Sequence, residues 1–284
     1  MLKKIKKFSS LVRISHLVIT APFAILGYFI GTLEVGFNWL TFLEVCLCVL
    51  FARNAAMSFN RWADREFDKA NPRTAQRDIP QGRVSTKEAI WFTVINSALL
   101  IVTAYFINSL CFYLSPVALV MLLGYSLTKR SMWLSNAALG VALAIGPVGG
   151  YIAVTGKLGL VALLLGAITL FWSLGFEIIY AMQDREFDLK TGLHSIPTRF
   201  GVRKSLVISA VSHAIAIYGV YVVGALAQCG ALYWIGAGVF TLLVVAQHFM
   251  VTPSNLNRLN QAFWLNQIAS MVFCSLWIAD ILLK

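Results

Sequence analysis

The chain has 284 residues, 59% of them hydrophobic and only 12% charged, with a mean hydropathy of +0.77. That charged share is about half the usual one for a soluble domain, which argues against a water-soluble globule and makes lipid the expected solvent. The net charge of +11 would suggest nucleic acid or another anionic ligand in a soluble protein, but here the charges sit in short stretches between apolar runs, so topology accounts for most of them and no nucleic-acid partner is expected.

The chain begins with Lys3-Lys4-Ile5-Lys6-Lys7 before an apolar stretch. This imitates a secretory signal, but the stretch is long, lacks a clear small-residue cleavage site and leads into further spans. Apolar segments then recur to the end. They predict helices near 15–33, 38–62, 86–108, 110–127, 134–155, 159–182, 204–225, 230–251 and 262–283, each close to the roughly 20 residues that cross a bilayer. The third and fourth are split only by Asn108-Ser109, which predicts a tight hairpin. The expected fold is all-α: one integral membrane domain over 1–284, a polytopic bundle of about nine transmembrane helices.

The basic residues support that count. With the N-terminus inside, the cytoplasmic segments are 1–14, 63–85, 128–133, 183–203 and 252–261. Together with the adjoining helix ends they hold every Lys and Arg except Arg53, Lys157 and Lys284, the asymmetry expected of a positive-inside topology. An odd number of spans follows, with the C-terminus outside. The host membrane is expected to be a bacterial inner membrane. The five cysteines, Cys46, Cys48, Cys111, Cys229 and Cys274, all fall in apolar runs and have neither zinc-ligand spacing nor the look of a disulfide framework.

Two of the cytoplasmic loops, 63–85 and 183–203, are long, and each opens with the same five residues. The first copy is Asp64-Arg65-Glu66-Phe67-Asp68 and the second Asp184-Arg185-Glu186-Phe187-Asp188. Four spans separate them, so both emerge on one face, which suggests an internal pseudo-repeat. Asn60, Asp64 and Asp68 are spaced i, i+4, i+8 and would form one helical stripe, which Arg53 extends into the membrane. Asp184 and Asp188 repeat the pair, and Glu177 stands seven residues before Asp184 as Arg53 does before Asn60.

Carboxylates and an amide oxygen are hard ligands of the kind Mg²⁺ prefers, and Mg²⁺ is commonly held by a few carboxylates together with phosphate oxygens and water. Two facing pairs could therefore hold two Mg²⁺ ions on a diphosphate. Arg65, Arg73, Arg77, Lys129, Arg130 and Arg185 could neutralise its oxygens, with Arg giving bidentate contacts. A single Asp-Arg-Glu run is as often a solvated charge cluster as a site. Two identical copies at helix ends on one side weigh against that reading, as do ionisable residues at membrane depth. The competing account of Arg53 and Glu177 is a structural ion pair between the second and sixth helices. A transporter is the alternative from another class, since duplicated halves and intramembrane charges occur there, but motifs at helix ends rather than at the bilayer midplane speak against it. A non-catalytic binding or assembly protein would not need both aspartate pairs.

The run Asn60-x3-Asp64-x3-Asp68, continuing through Asn71-Pro72-Arg73-Thr74-Ala75-x-Arg77-x-Ile79-Pro80-x-Gly82, resembles the first signature of the UbiA family of intramembrane aromatic prenyltransferases. The run Tyr180-Ala181-x2-Asp184-Arg185-x2-Asp188, then Gly192-x2-Ser195-Ile196-Pro197 and Phe200-Gly201, resembles the second. Tyr125-x3-Lys129-Arg130 is similar to a short motif after the fourth helix. The resemblance implies that a polyprenyl diphosphate is ionised with the help of Mg²⁺ and that the allylic cation attacks the ring of an aromatic acid, in respiratory quinone synthesis. It further implies Asn60, Asp64 and Asp68 at one Mg²⁺ and Asp184 and Asp188 at the other, with Arg65, Lys129 and Arg185 on the diphosphate. Arg13 matches a basic position that faces the diphosphate, and Arg53 is the candidate for the acceptor's carboxylate. Tyr125 and Tyr180, beside the motifs, are the aromatics expected to face a cation, with interfacial anchoring as their alternative role. Ser195, next to His194, is a candidate phosphate contact. His16, His213 and His248 read as scattered structural histidines.

Two departures stand out. Arg61 replaces the Asp that usually follows the motif's Asn, removing one possible ligand; this Asn-Arg form is typical of a bacterial branch, some of whose members are linked to menaquinone made through futalosine. Glu177 stands where many members carry Asp, which extends its reach toward an acceptor. The acceptor is therefore open between 4-hydroxybenzoate and a naphthoate-type or futalosine-derived acid.

Overall fold

The computed structural model describes residues 2–13 and 17–283, excepting the side chains of 2–6 and 17–20; His16 lies outside the described residues. The described residues are helical, with one isolated bridge between Thr252 and Asn255. A short helix α1 (Leu2–Val12) leads in. The long helices are α2 (Leu17–Val35), α3 (Trp39–Ala63), α5 (Thr86–Ile107), α6 (Ser109–Thr128), α7 (Ser135–Thr155), α8 (Leu160–Ala181), α10 (Ile196–Leu226), α11 (Ala231–Met250) and α12 (Leu259–Leu282). Two short ones, α4 (Arg65–Ala70) and α9 (Arg185–Thr191), complete the set. Among the described residues eight helices, all the long ones except α2, are long and apolar enough to cross a membrane, and α2 adds a further apolar helix of 19 residues.

Local sequence explains the boundaries. Asn108 is extended (φ −168°, ψ 166°), closes α5, and accepts from the Cys111 amide to cap α6. This makes the expected tight hairpin, because an Asn side chain supplies the acceptor that a helix N-terminus lacks. Ser85 and Glu88 form a capping box at the start of α5. Ser195 does the same with Thr198 at the start of α10. Gly201 bends α10 at φ 72°, ψ 173°, a conformation open to a residue without Cβ.

The outer surface is apolar: Phe249 is 80% exposed and Val120 73%. A water-soluble protein would not present such a surface on so many sides, whereas helices facing lipid must. Exposed Trp39, Tyr105 and Tyr113 sit at one end of the bundle, and Trp91 and Trp133 toward the other, in the manner of interfacial aromatic belts. The main core lies among α2, α8, α10, α11 and α12, around Trp172, Phe240, Phe273 and Trp277. Helices in lipid gain little from hydrophobic exclusion and associate through close packing. Accordingly, α2 and α7 meet at glycines: a Cβ on Gly27 would stand 2.0 Å from the Pro147 carbonyl oxygen, and one on Gly150 2.1 Å from that of Ala24. His213 on α10 and His248 on α11, read as isolated in the sequence, face one another at 2.8 Å between Nδ1 and Nε2.

The two long loops are not coil. Each aspartate copy forms a short helix, and the leading aspartate breaks the chain just before it: Asp64 at φ −89°, ψ 6° and Asp184 at φ −101°, ψ 0°. The continuous stripe expected over Asn60, Asp64 and Asp68 is thus interrupted at its middle member. Hydrogen bonds from the Asp64 amide to Asn60 and from the Asp68 amide to Asp64 carry the chain across the break, and Asp68 is buried at 5% exposure.

Candidate active site

Where α3, α6, α7 and α8 end together, a cavity of about 280 Å³ opens among them, roofed by the two aspartate segments. The first copy contributes Asn60, Asp64 and Asp68, and the second Asp184 and Asp188. Residues far apart in sequence lock the two copies together. Arg73 donates to both carboxylate oxygens of Asp184, at 2.8 and 2.5 Å. Asn71 Nδ2 donates to Asp184 Oδ1 at 2.9 Å. Arg77 holds Asp68 Oδ1 at 2.6 Å, and Lys129 holds Asp188 Oδ2 at 2.8 Å.

Asp64 is the least neutralised of the four. Its Oδ2 accepts from Asn60 Nδ2 at 2.9 Å, and Arg130 stands 3.8 Å away. Burial, with the Asp68 charge adding to it, pushes its carboxyl up to about 6. Asp68 Oδ2 is buried and without a hydrogen-bond partner, a state that is costly for a carboxylate oxygen. An unpartnered hard oxygen beside a half-neutralised carboxylate fits a divalent cation. Among the described residues no group of three or more His, Cys, Asp or Glu side chains could hold a metal unaided, so an ion here would need phosphate oxygens and water to complete its shell.

The cavity deepens toward the membrane interior. Arg53, Tyr125 and Glu177 line its inner part with Met57, Leu139, Leu143 and Phe176. Arg53 Nε is buried with no hydrogen-bond partner, and its charge is felt by both Tyr125 and Glu177. The Tyr180 and Phe263 rings lie tilted at 34° with centroids 4.8 Å apart, and the Arg73 guanidinium lies 5.6 Å over the Tyr180 ring. Arg13 reaches the same cavity from the residue after α1, held at φ 45°.

Four of the residues singled out in sequence do not line this cavity. Arg65 folds back onto the Trp62 carbonyl at 2.9 Å and over its ring. Arg185 donates to the Pro197 carbonyl at 3.0 Å, tying α9 to the start of α10. Arg130 donates to the Ala63 carbonyl at 2.6 Å, satisfying a helix C-terminus. Ser195 is fully buried as the N-cap of α10. Each sits at the mouth of a motif, but its polar atoms serve the backbone. Residues given no site role by the sequence also line the cavity: Asn71, Thr74, Asn136, Phe176 and Phe263, with Arg61, expected there only as the loss of a ligand. Asn71 lies within the first signature and could have been found from it. Phe263, from α12, carries no local signal.

A second cavity, about 440 Å³, adjoins the first along α3, α6 and α7. Its wall is apolar, with Val49, Ala52, Ala118, Met121, Ala144 and Val148 among its residues. The polar and apolar chambers thus follow one another along the same three helices.

The UbiA prenyltransferase family profile matches residues 20–276. The chain belongs to that family. A 4-hydroxybenzoate octaprenyltransferase of Xanthomonas campestris is 34% identical over 196 residues, which is 69% of this chain and 65% of that relative. The chain thus spans a little under two thirds of the length of that curated relative. Among solved structures, the apo form of a UbiA homolog from Aeropyrum pernix K1 superimposes with a TM-score of 0.86 at 28% identity, covering 94% of this chain and 98% of that one. A UbiA homolog from Archaeoglobus fulgidus bound to DMAPP and Mg²⁺ shares the fold, with a TM-score of 0.72 at 22% identity over 98% of this chain and 100% of that one. With a family profile and an apolar exterior in agreement, this member is a multi-pass membrane protein.

Proposed function

We propose that the protein transfers a polyprenyl group from polyprenyl diphosphate to the ring of an aromatic acid of the 4-hydroxybenzoate type, releasing diphosphate, in respiratory quinone biosynthesis. The observation that carries this reading is the convergence of both aspartate copies on one cavity whose inner part holds Arg53 and Glu177. The names of the curated relatives support it. The active-site end and the N-terminus would face the cytoplasm, an orientation that the distribution of basic residues supports, with a bacterial inner membrane as the host.

Asp64, Asp68, Asp184 and Asp188 would hold Mg²⁺ together with the donor's oxygens, and two ions match two carboxylate pairs. Bound Mg²⁺ supplies positive charge against the negative charge that develops on the departing diphosphate. Arg73, Arg77 and Lys129 already stand in ion pairs with the same carboxylates, and on donor binding they would turn part of that charge toward phosphate. Preorganised cations of this kind lower the barrier without reorganising during reaction. The C–O bond breaks with its electron pair on the diphosphate. The allylic carbon then bonds to the acceptor ring, which loses a proton. The inner cavity keeps water from the cation, and Tyr180 and Phe263 line that cavity as aromatic residues. Arg53 would take the acceptor's carboxylate. The apolar second chamber suits the prenyl tail, which would enter sideways from the bilayer.

Purified protein incubated with Mg²⁺, geranyl or farnesyl diphosphate and a panel of aromatic acids, including naphthoate-type and futalosine-derived ones, should give a prenylated product by mass spectrometry. No product with any acid, together with equal diphosphate binding by wild type and Asp64→Ala, would overturn the reading and leave the transporter alternative standing.

A further inference from the structure

Arg61 is the position at which this chain departs from the usual first motif, where it puts a cation in place of a carboxylate. The side chain does not turn away to accommodate that change. It lines the polar cavity and is only 7% exposed. Among the described residues it forms no salt bridge, and its hydrogen bond is a long one, 3.3 Å from Nη1 to Asn60 Oδ1. A guanidinium taken out of water with no anion bonded to it is a costly arrangement.

Asp64 and Asp68 are the carboxylates within its electrostatic reach, but neither forms a salt bridge with it. Asp68 Oδ1 is taken by Arg77 at 2.6 Å, and Oδ2 has no hydrogen-bond partner. The charges felt at Arg61 are those of Arg77 and Arg13 as well as Asp68. Three guanidiniums, Arg61, Arg77 and Arg13, therefore act at an end of the site that holds two carboxylates, Asp64 and Asp68, and Asp68 is already bonded to Arg77. The local surplus of positive charge calls for a multiply charged anion, and the planar fork of Arg matches phosphate oxygens two at a time.

Arg61 also fixes its neighbour. Asn60 donates from its amide nitrogen to Asp64 Oδ2 at 2.9 Å and accepts from Arg61 at its amide oxygen. The amide oxygen that the family resemblance would assign to a metal thus faces a fixed cation, where a divalent ion would be repelled.

We infer that Arg61 binds the donor's diphosphate directly, supplying at the Asn60 end of the site positive charge that a metal ligand would otherwise bring in with its ion. This rests on the prenyl-diphosphate reading above. Asn60 then acts as a positioning residue that orients Asp64.

The test uses the full chain in detergent, titrated calorimetrically with farnesyl thiolodiphosphate, a slowly ionising donor analogue, at saturating Mg²⁺. Arg61→Gln should weaken binding by about 10- to 100-fold, the loss expected when charge-assisted hydrogen bonds are removed. Arg61→Lys should recover part of that loss. Melting of the ligand-free protein supplies the readout that a structural role would move the other way: Arg61→Gln should melt at the wild-type temperature or above it, because an unpaired buried charge has been removed. Binding by Arg61→Gln within twofold of wild type would overturn the inference, as would weaker binding matched by a lower ligand-free melting temperature and not recovered by Lys. Failure of the wild-type protein itself to bind the analogue would instead overturn the donor reading, and this inference with it.

Discussion

Arg73 and Asp184 are joined by two hydrogen bonds, from Nε at 2.8 Å and Nη2 at 2.5 Å, across 111 residues of sequence. The pair latches the loop after the first aspartate copy onto the second copy, so the two halves of the site are held in register before any ligand arrives. Hydrogen bonds to charged groups contribute about 1.5–3 kcal/mol each at most, and part of this is lost where solvent screens a half-exposed pair. Arg73→Gln should therefore lower kcat/KM for the prenyl donor by roughly 10- to 100-fold, with the acceptor KM within about twofold of wild type. Steady-state kinetics with each substrate varied in turn checks this. A donor kcat/KM equal to that of wild type would reduce Arg73 to a latch that the site can do without.

The buried position of Asp64, with Asp68 close by, sets a pH dependence. Its carboxyl is pushed up to about 6 in the ligand-free protein, so it is largely protonated at pH 5 and ionised at pH 7. A carboxyl raised above its unfolded value binds its proton more tightly when folded, and ligand-free stability contributed by this group falls as pH rises from about 4 to about 6. Metal binding runs the other way, because the ligand must be deprotonated. Mg²⁺ affinity measured calorimetrically with a donor analogue should fall by up to about tenfold per pH unit below 6. It should level off above 7. Asp64→Asn should bind more weakly and lose much of this slope. A flat Mg²⁺ affinity between pH 5 and 7 in wild type would remove Asp64 from the metal site.

The spans were legible because nothing but lipid requires long apolar runs, and a helix is the way to bury their backbone. The aspartate copies were legible as a repeat, and the cavity brings both together. Other features could not be read. The short helices α4 and α9 carry charge on a few residues and show no apolar period, so they passed as loop. The break at Asp64 depends on backbone angles that a spacing of i, i+4, i+8 does not encode. In the sequence Arg61 signals only the loss of a ligand, because a motif reports which residue is missing and not where its replacement points. Phe263 reaches the cavity through the packing of α12, a long-range fact with no local sign. Arg65, Arg185 and Ser195 have the right chemistry in the right segments, but nearby backbone groups claim their polar atoms.

Arg53 presents a buried Nε with no partner toward the cavity, within electrostatic reach of Glu177 and Tyr125. If the acceptor's carboxylate is what it awaits, Arg53→Ala should raise the acceptor KM by at least about tenfold, the loss of one charge-assisted contact, with the donor KM changed far less. Arg53→Lys should recover only part of this, since Lys lacks the fork. The opposite pattern, a raised donor KM with the acceptor KM unchanged, would place Arg53 on the diphosphate instead.

Stability should be most sensitive where α2 and α7 cross. A Cβ on Gly150 would meet the Ala24 oxygen at 2.1 Å, and one on Gly27 the Pro147 oxygen at 2.0 Å. Both obstacles are backbone, so neither can swing aside as a flexible side chain would, and the helices must separate. Overpacking of this kind typically costs about 1–3 kcal/mol, and close approach at small residues is what holds helices together in lipid. Gly150→Ala and Gly27→Ala should each lower the melting temperature in detergent. Gly149→Ala is the control, because a Cβ there meets nothing within 4 Å, and it should melt within about 0.5 kcal/mol of wild type. Equal melting of all three variants would mean that α2 and α7 do not approach as closely as these distances require.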